Sequence, residues 1–182
     1  MSEIDDLIRE RKAGFFIKHD VHGVSLNALV QFAEQETKLG IFCTYFFMVP
    51  DHPLTKKKYL FKDQLKAMRS IQEMGHDIGL HIDPFFLIDH ETRPFVEIFK
   101  NILDCFSDNG IRFNSGNMHG NSQFKGLDLD GYGTSFDLFE EISRQPDFPA
   151  LNRVPGETAD LIRSNRVQLG EFGITHWGDM PF

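Results

Sequence analysis

The sequence predicts one α/β domain spanning 1–182, built of parallel strands joined by helical crossovers. Three observations carry this. Short β-branched and aromatic runs alternate four or five times with amphipathic stretches at helical spacing, the pattern of parallel strands with right-handed connections. The 182 residues suffice for one sizeable core, and 41% hydrophobic with 25% charged residues is the balance of a globular domain. Nineteen phenylalanines fit a barrel or sheet core buried on both faces.

Taken in order, Gly14–Lys18 is the first apolar run and leads into His19-Asp20-Val21-His22-Gly23. Ser25–Leu39 reads as a helix: Leu26, Leu29, Val30, Phe32 and Ala33 recur at helical spacing, Ser25 is the N-cap, and Gly40 closes it. Ile41–Val49 is a buried strand, broken by Pro50-Asp51-His52-Pro53. Phe61–Met74 is the second helix, with Phe61, Leu65, Met68 and Ile71 on successive turns before Gly75. Asp77–Ile82 is the third strand, and Glu91–Phe106 the third helix, striped by Phe95, Ile98, Phe99 and Ile102. Ile111–Asn114 is read as strand four, Ser135–Ser143 as helical and Phe172–His176 as a fifth strand.

Charge and composition exclude several classes. A net charge of −8 disfavours nucleic acid and anionic membrane surfaces, and the one dense basic run, Lys56-Lys57-Lys58, reads as a solvated loop. No apolar stretch is long enough to span a bilayer. The acidic N-terminus lacks the apolar region of a secretory signal, so a cytoplasmic location is expected. Cys43 and Cys105 lie in separate apolar segments and read as buried thiols rather than a disulfide.

The polar residues that stand out follow the predicted strands. Asp20 and His22 follow the first, His81 lies near the end of the third and Asp83 follows it, Asn117 and His119 follow the fourth, and His176 ends the fifth. In parallel α/β folds the carboxyl ends of strands converge on one rim, where imidazoles and carboxylates suit a divalent cation such as zinc. Residues i and i+2 of an extended segment face the same way, so Asp20 and His22 form a natural pair. Tyr45 and Asn117 are placed to line the pocket. His76, at a helix end, reads as a dipole-facing histidine, and His52 and His90 as loop residues.

Ile17-Lys18-His19-Asp20-Val21-His22, Gly40-Ile41-Phe42-Cys43-Thr44-Tyr45-Phe46 and Gly75-His76-Asp77-Ile78-Gly79-Leu80-His81-Ile82-Asp83 together resemble the polysaccharide deacetylase-like family. The nearest branch has a first motif H-D-V-D and a second G-H-E-I-G-L-H-Y-D. Thr44-Tyr45-Phe46-Phe47 is similar to the family's T-x-F-F segment, and His119-Gly120 to its S-x-H-G segment. The resemblance covers roughly 14 to 120. It implies a distorted or incomplete (β/α) barrel and metal-dependent removal of an acetyl group from a sugar or glycan precursor. Asp20 is then the base or a shared ligand, His22 and His81 are metal ligands, and His119 is a third ligand or substrate contact. His119 or His176 would protonate the leaving group, while Tyr45, Asp83, Asn117 and His176 are the substrate-facing residues.

The chain departs from the pattern at three places. His22 stands where the branch has Asp, Phe85 stands four residues after His81 where better-known members have His, and members usually extend further, with a late His. Two other readings stay open: a non-catalytic domain of the same fold that binds a carbohydrate or protein, and a hydrolase of small amide C–N bonds.

Overall fold

Alternation of strand and helix is what the chain builds. A computed structural model describes residues 17–49, 60–83, 95–119, 137–138, 167–168, 172–174 and 176–177. In chain order these contain β1 (Lys18–Val21), α1 (Leu26–Lys38), β2 (Thr44–Met48), α2 (Phe61–Glu73), β3 (Asp77–Ile82), α3 (Phe95–Asp108) and β4 (Ser115–Met118). The short strands β5 (Asp137–Leu138), β6 (Val167–Gln168) and β7 (His176–Trp177) follow. One sheet has the order β1-β2-β3-β4-β7 with every neighbouring pair parallel, while β5 and β6 pair antiparallel on their own. No helix among the described residues is long and apolar enough to cross a membrane.

The helices start and stop for local reasons. Ser25 caps α1, its carbonyl accepting from Leu29 N–H at 2.9 Å and its Oγ from Ala28 N–H at 3.5 Å. All three helices end in a Schellman turn around a left-handed glycine: Gly40 (φ 70°), Gly75 (φ 94°) and Gly110 (φ 78°). In α1 the Ile41 N–H returns to Glu36 O at 2.9 Å and the Gly40 N–H to Thr37 O at 3.0 Å. That turn swings the chain out of the helix toward the next strand, and it fixes Glu36 one turn from the helix end.

Several boundaries differ from the sequence expectation. The first strand runs over Lys18–Val21, so His19 and Asp20 lie inside it, while residues 14–16 of the expected run lie outside the described residues. Strand two begins at Thr44 rather than Ile41, and helix three, described from Phe95, continues to Asp108 rather than ending at Phe106, with residues 91–94 outside the described residues. Strand four is Ser115–Met118, not Ile111–Asn114. There the Ile111 N–H is spent on Phe106 O, and Ile111 and Phe113 are buried in the lead-in before pairing with Leu80–Ile82 is reached. Of the expected helix Ser135–Ser143 only Asp137–Leu138 are described, and they form a strand, because a partner strand outweighs local helical spacing. The fifth strand starts at His176, after a turn at Phe172–Gly173. Phe32 and Cys105, expected in the core, are exposed. The segments carrying His52, Lys56–Lys58, Phe85, His90 and Gly120 lie outside the described residues.

Strand parity sorts the sheet into two faces. Val21, Tyr45, Phe47, Ile78, Leu80 and Ile82 share one face and form a core with Leu29, Ala33, Met68, Ile71, Phe99 and Phe106 of the helices. Phe46 and Met48, on the alternate face, are fully buried yet stand outside that core, in register with Gly79 and His81. Strand order runs in one direction without reversal, and the helices keep to one side.

The sheet curls toward the face opposite the described helices. β1 and β4 are three strand spacings apart, about 14 Å in a flat sheet. Nevertheless Asn117 Nδ2 of β4 donates to Asp20 Oδ1 of β1 at 2.6 Å. Two side chains this short meet only if the sheet is concave between them. Gly79 serves this curl, because a Cβ there would lie 2.4 Å from the Phe46 ring and 2.8 Å from Ser115 Oγ. Gly79→Ala is therefore expected to destabilise the fold by about 1–3 kcal/mol through overpacking, read as a lower denaturant midpoint. An unchanged midpoint would show that Phe46 does not lie across β3 at this point.

Candidate metal centre

His22, His81 and His119 reach one place from three strand ends. His22 follows β1, His81 is the penultimate residue of β3, and His119 follows β4, held there by its N–H donating to Ile82 O at 2.6 Å. Their ligand nitrogens all lie within 4.8 Å of one another. The ring centroids are 5.7 Å apart for His22–His81, 5.5 Å for His22–His119 and 5.2 Å for His81–His119. Exposure grades across the group, from buried His81 through His119 to exposed His22. The cluster therefore opens to solvent on one side, the arrangement of a metal site that leaves a position for water or substrate.

Asn117 ties this group to a carboxylate. Its Nδ2 faces the Asp20 carboxylate and must donate, so its Oδ1 must accept the 2.6 Å bond from His81 Nδ1–H. The proton on Nδ1 leaves Nε2 of His81 with its lone pair, the form a cation requires. Burial holds the His81 imidazole below its ordinary pKa, the neighbouring His119 and His22 add to this, and the Asn117 bond and Asp20 only partly oppose it. His81 is thus neutral at pH 7. On the far side, Asp83 Oδ2 lies 3.4 Å from His119 Nδ1, a carboxylate backing an imidazole.

The structure brings Asp20, His22, His81, Asp83, Asn117 and His119 of the sequence-derived residues to one place. Two it does not. Tyr45 is fully buried on the opposite, helix-facing side, because an odd shift along β2 flips a side chain to the other face. His176 is placed by its backbone, which pairs with Ser115, two residues before Asn117.

A second cluster, missed in the sequence, surrounds Tyr45 at the amino-terminal end of the sheet. Glu36 of α1 accepts from Tyr45 OH through Oε2, and from His19 Nε2 at 2.8 Å and Cys43 Sγ at 3.3 Å through Oε1. Beside it, His76 is no dipole-facing surface residue but is 3% exposed. Its Nδ1 accepts from Cys43 N–H at 3.1 Å, and Nε2–H faces Ala33 O at 3.1 Å and Thr37 Oγ1 at 3.0 Å. The available signal was Glu36 itself, a carboxylate continuing the Leu29–Ala33 stripe of α1 into the core. Burial and the Glu36 carboxylate push the Cys43 thiol up to about 12, and the same causes raise the Tyr45 hydroxyl. Burial also works to raise Glu36, but hydrogen bonds from Tyr45, His19 and Cys43 outweigh it and hold the carboxyl below its ordinary value. In each cluster, His22-His81-His119 and His19-Glu36-Cys43, one ligand atom per residue lies within 4.8 Å of the others, a spacing a single metal ion could bridge.

No family model matches the chain, and no curated protein matches it. The chemistry of the two clusters therefore rests on their own residues.

Because Glu36 has a folded pKa below its unfolded value, about 4.3, it contributes stability that is full above that value. The contribution disappears as the pH falls through the folded pKa. In chelator-treated protein, Glu36→Gln is expected to lower stability at pH 7 by about 1–3 kcal/mol and to flatten its loss below pH 5. Urea unfolding at both pH values checks this. Parallel pH curves for the two proteins would assign the acid sensitivity to other groups.

Proposed function

We propose that this chain is a metal-dependent hydrolase that removes an acetyl group from a sugar or glycan precursor. Its sheet would then be part of a distorted or incomplete (β/α) barrel of the polysaccharide deacetylase kind. The observation that carries the reading is the convergence of three imidazoles, from the ends of three strands, beside a carboxylate joined to them through Asn117. The one-directional strand order and the concave face support the barrel.

The donor set suits the group it implies: His81 is neutral with Nε2 available, His119 is backed by Asp83, and His22 stands on the open side. His22, His81 and His119 would hold a zinc ion, which would supply Lewis-acid polarisation of a carbonyl oxygen and a water whose pKa is lowered toward about 7. Asp20, oriented by the Asn117 amide through Oδ1, takes the proton from the attacking water. Asn117 also maintains the tautomer that His81 needs, so it acts by positioning rather than by touching substrate. His119 cannot both ligate through Nε2 and deliver a proton from it. Here it is a ligand, and protonation of the leaving amine or alcohol passes to His176, the candidate named by the sequence. Free thiols at Cys43 and Cys105 fit a reducing, cytoplasmic setting, and so an intracellular sugar precursor.

Zinc content after incubation with the metal is expected to fall by one equivalent per chain in His81→Ala. Equal content in wild type and variant would remove the rim as a metal site. Asp20→Asn should keep that zinc and release acetate from acetylated saccharides about 100- to 10,000-fold more slowly. Unchanged turnover would end the role of Asp20. Wild-type turnover confined to small amides would move the reading to C–N hydrolysis, and a zinc-loaded protein that turns over neither would make the domain a binding module.

A further inference from the structure

We propose that His19, Glu36 and Cys43 form a second, structural metal site for zinc or a similar thiophilic divalent cation, independent of the rim histidines. The three side chains come from β1, α1 and the segment entering β2, and one ligand atom of each lies within 4.8 Å of the others. Imidazole, carboxylate and thiolate are the ligand types zinc takes. Glu36 is 7% exposed, and its partners are Tyr45, His19 and Cys43, none of them a permanent cation. A buried carboxylate in such a setting gains from a bound cation.

The charge balance favours loading. Binding releases the Cys43 S–H proton, and the His19 Nε2 proton is given up while Nδ1 takes one. Thiolate, carboxylate and a divalent cation then sum to zero where one buried negative charge stood. Tetrahedral zinc sets its ligand atoms about 3.3–3.7 Å apart. Cys43 Sγ already lies 3.3 Å from Glu36 Oε1, and His19 Nε2 at 2.8 Å has to retreat by roughly half an ångström.

Surrounding residues hold the ligands in place. The His19 ring lies against Tyr45 at 4.7 Å and edge-on to Phe32 at 5.3 Å, and Tyr45 OH steadies the other oxygen of Glu36. His76 Nδ1 holds the Cys43 backbone N–H at 3.1 Å. The His19 side chain is 26% exposed, which gives an ion its way in. Located at the amino-terminal end of the sheet, where barrels place stability rather than catalysis, the ion would clamp α1 to β1 and β2.

The test uses cobalt(II) added anaerobically to chelator-stripped full-length protein. Cys43 and Cys105 are the only cysteines of the chain, so with Cys105 replaced a thiolate-to-cobalt charge-transfer band in the near ultraviolet reports this site alone. Wild type, His81→Ala and Cys105→Ser are expected to show the band, with one proton released per ion bound, and Cys43→Ser to lose it. Should Cys43→Ser fail to fold, His19→Gln takes its place. Its cobalt affinity should fall by more than the roughly 10- to 100-fold typical of losing a residue that only orients a ligand. Absence of the band in wild type overturns the proposal, as does its persistence in Cys43→Ser, its loss in Cys105→Ser, or unchanged affinity in His19→Gln. Retention of the band in His81→Ala keeps this outcome separate from the fate of the rim reading.

Discussion

The curl of the sheet is the constraint on which the rim depends. Asp20 and Asn117 sit on strands about 14 Å apart when flat, and they are joined by a single 2.6 Å hydrogen bond. The same amide holds His81 through a second bond of equal length. Three conditions must be met together. The face must be concave, β3 must carry no side chain under Phe46, and the buried amide must have both its polar ends satisfied. Gly79 meets the second condition, and Asp20 with His81 meets the third. Loss of any one leaves the histidines on separate strand ends rather than around one point.

Strand parity then divides the work of the sheet between two faces and two ends. Residues in register with Asp20, Phe46 and Gly79 look into the concavity, and those in register with His19, Tyr45 and Ile78 look toward the helices. Neighbours in sequence therefore serve different clusters: His19 reaches back to Glu36 while Asp20 reaches across to Asn117. The helix-facing cluster is fully hydrogen-bonded around one carboxylate, which ties α1 to the sheet. The rim cluster keeps its exposed edge at His22, where a ligand can approach.

Much of this was legible from residue order. Strand three and the body of each described helix lie where periodicity put them, and Gly40 and Gly75 end the first two helices by a local backbone preference. The gathering of Asp20, His22, His81 and His119 was also legible, since residues at the carboxyl ends of parallel strands lie on one rim. Strand four was not, because a strand begins where a partner offers its ladder, and Ile111 and Phe113 look as strand-like as any pair of buried residues. Tyr45 was misassigned by a single step of parity, which composition does not reveal. Glu36 and His76 were passed over because a charged residue in a helix and a histidine after a glycine usually face solvent.

By itself, then, the sequence determined the alternating elements, the turns that separate them and the residue types at the strand ends, all set by interactions within a few residues. Only the tertiary structure decided which side chains meet. Asp20 and Asn117 are 97 positions apart, and His19 and Glu36 are 17 apart. Contacts at such separations follow from register, parity and sheet curvature. Those properties belong to the packed assembly, because each is chosen by how neighbouring elements bury one another rather than by any one segment's own preference.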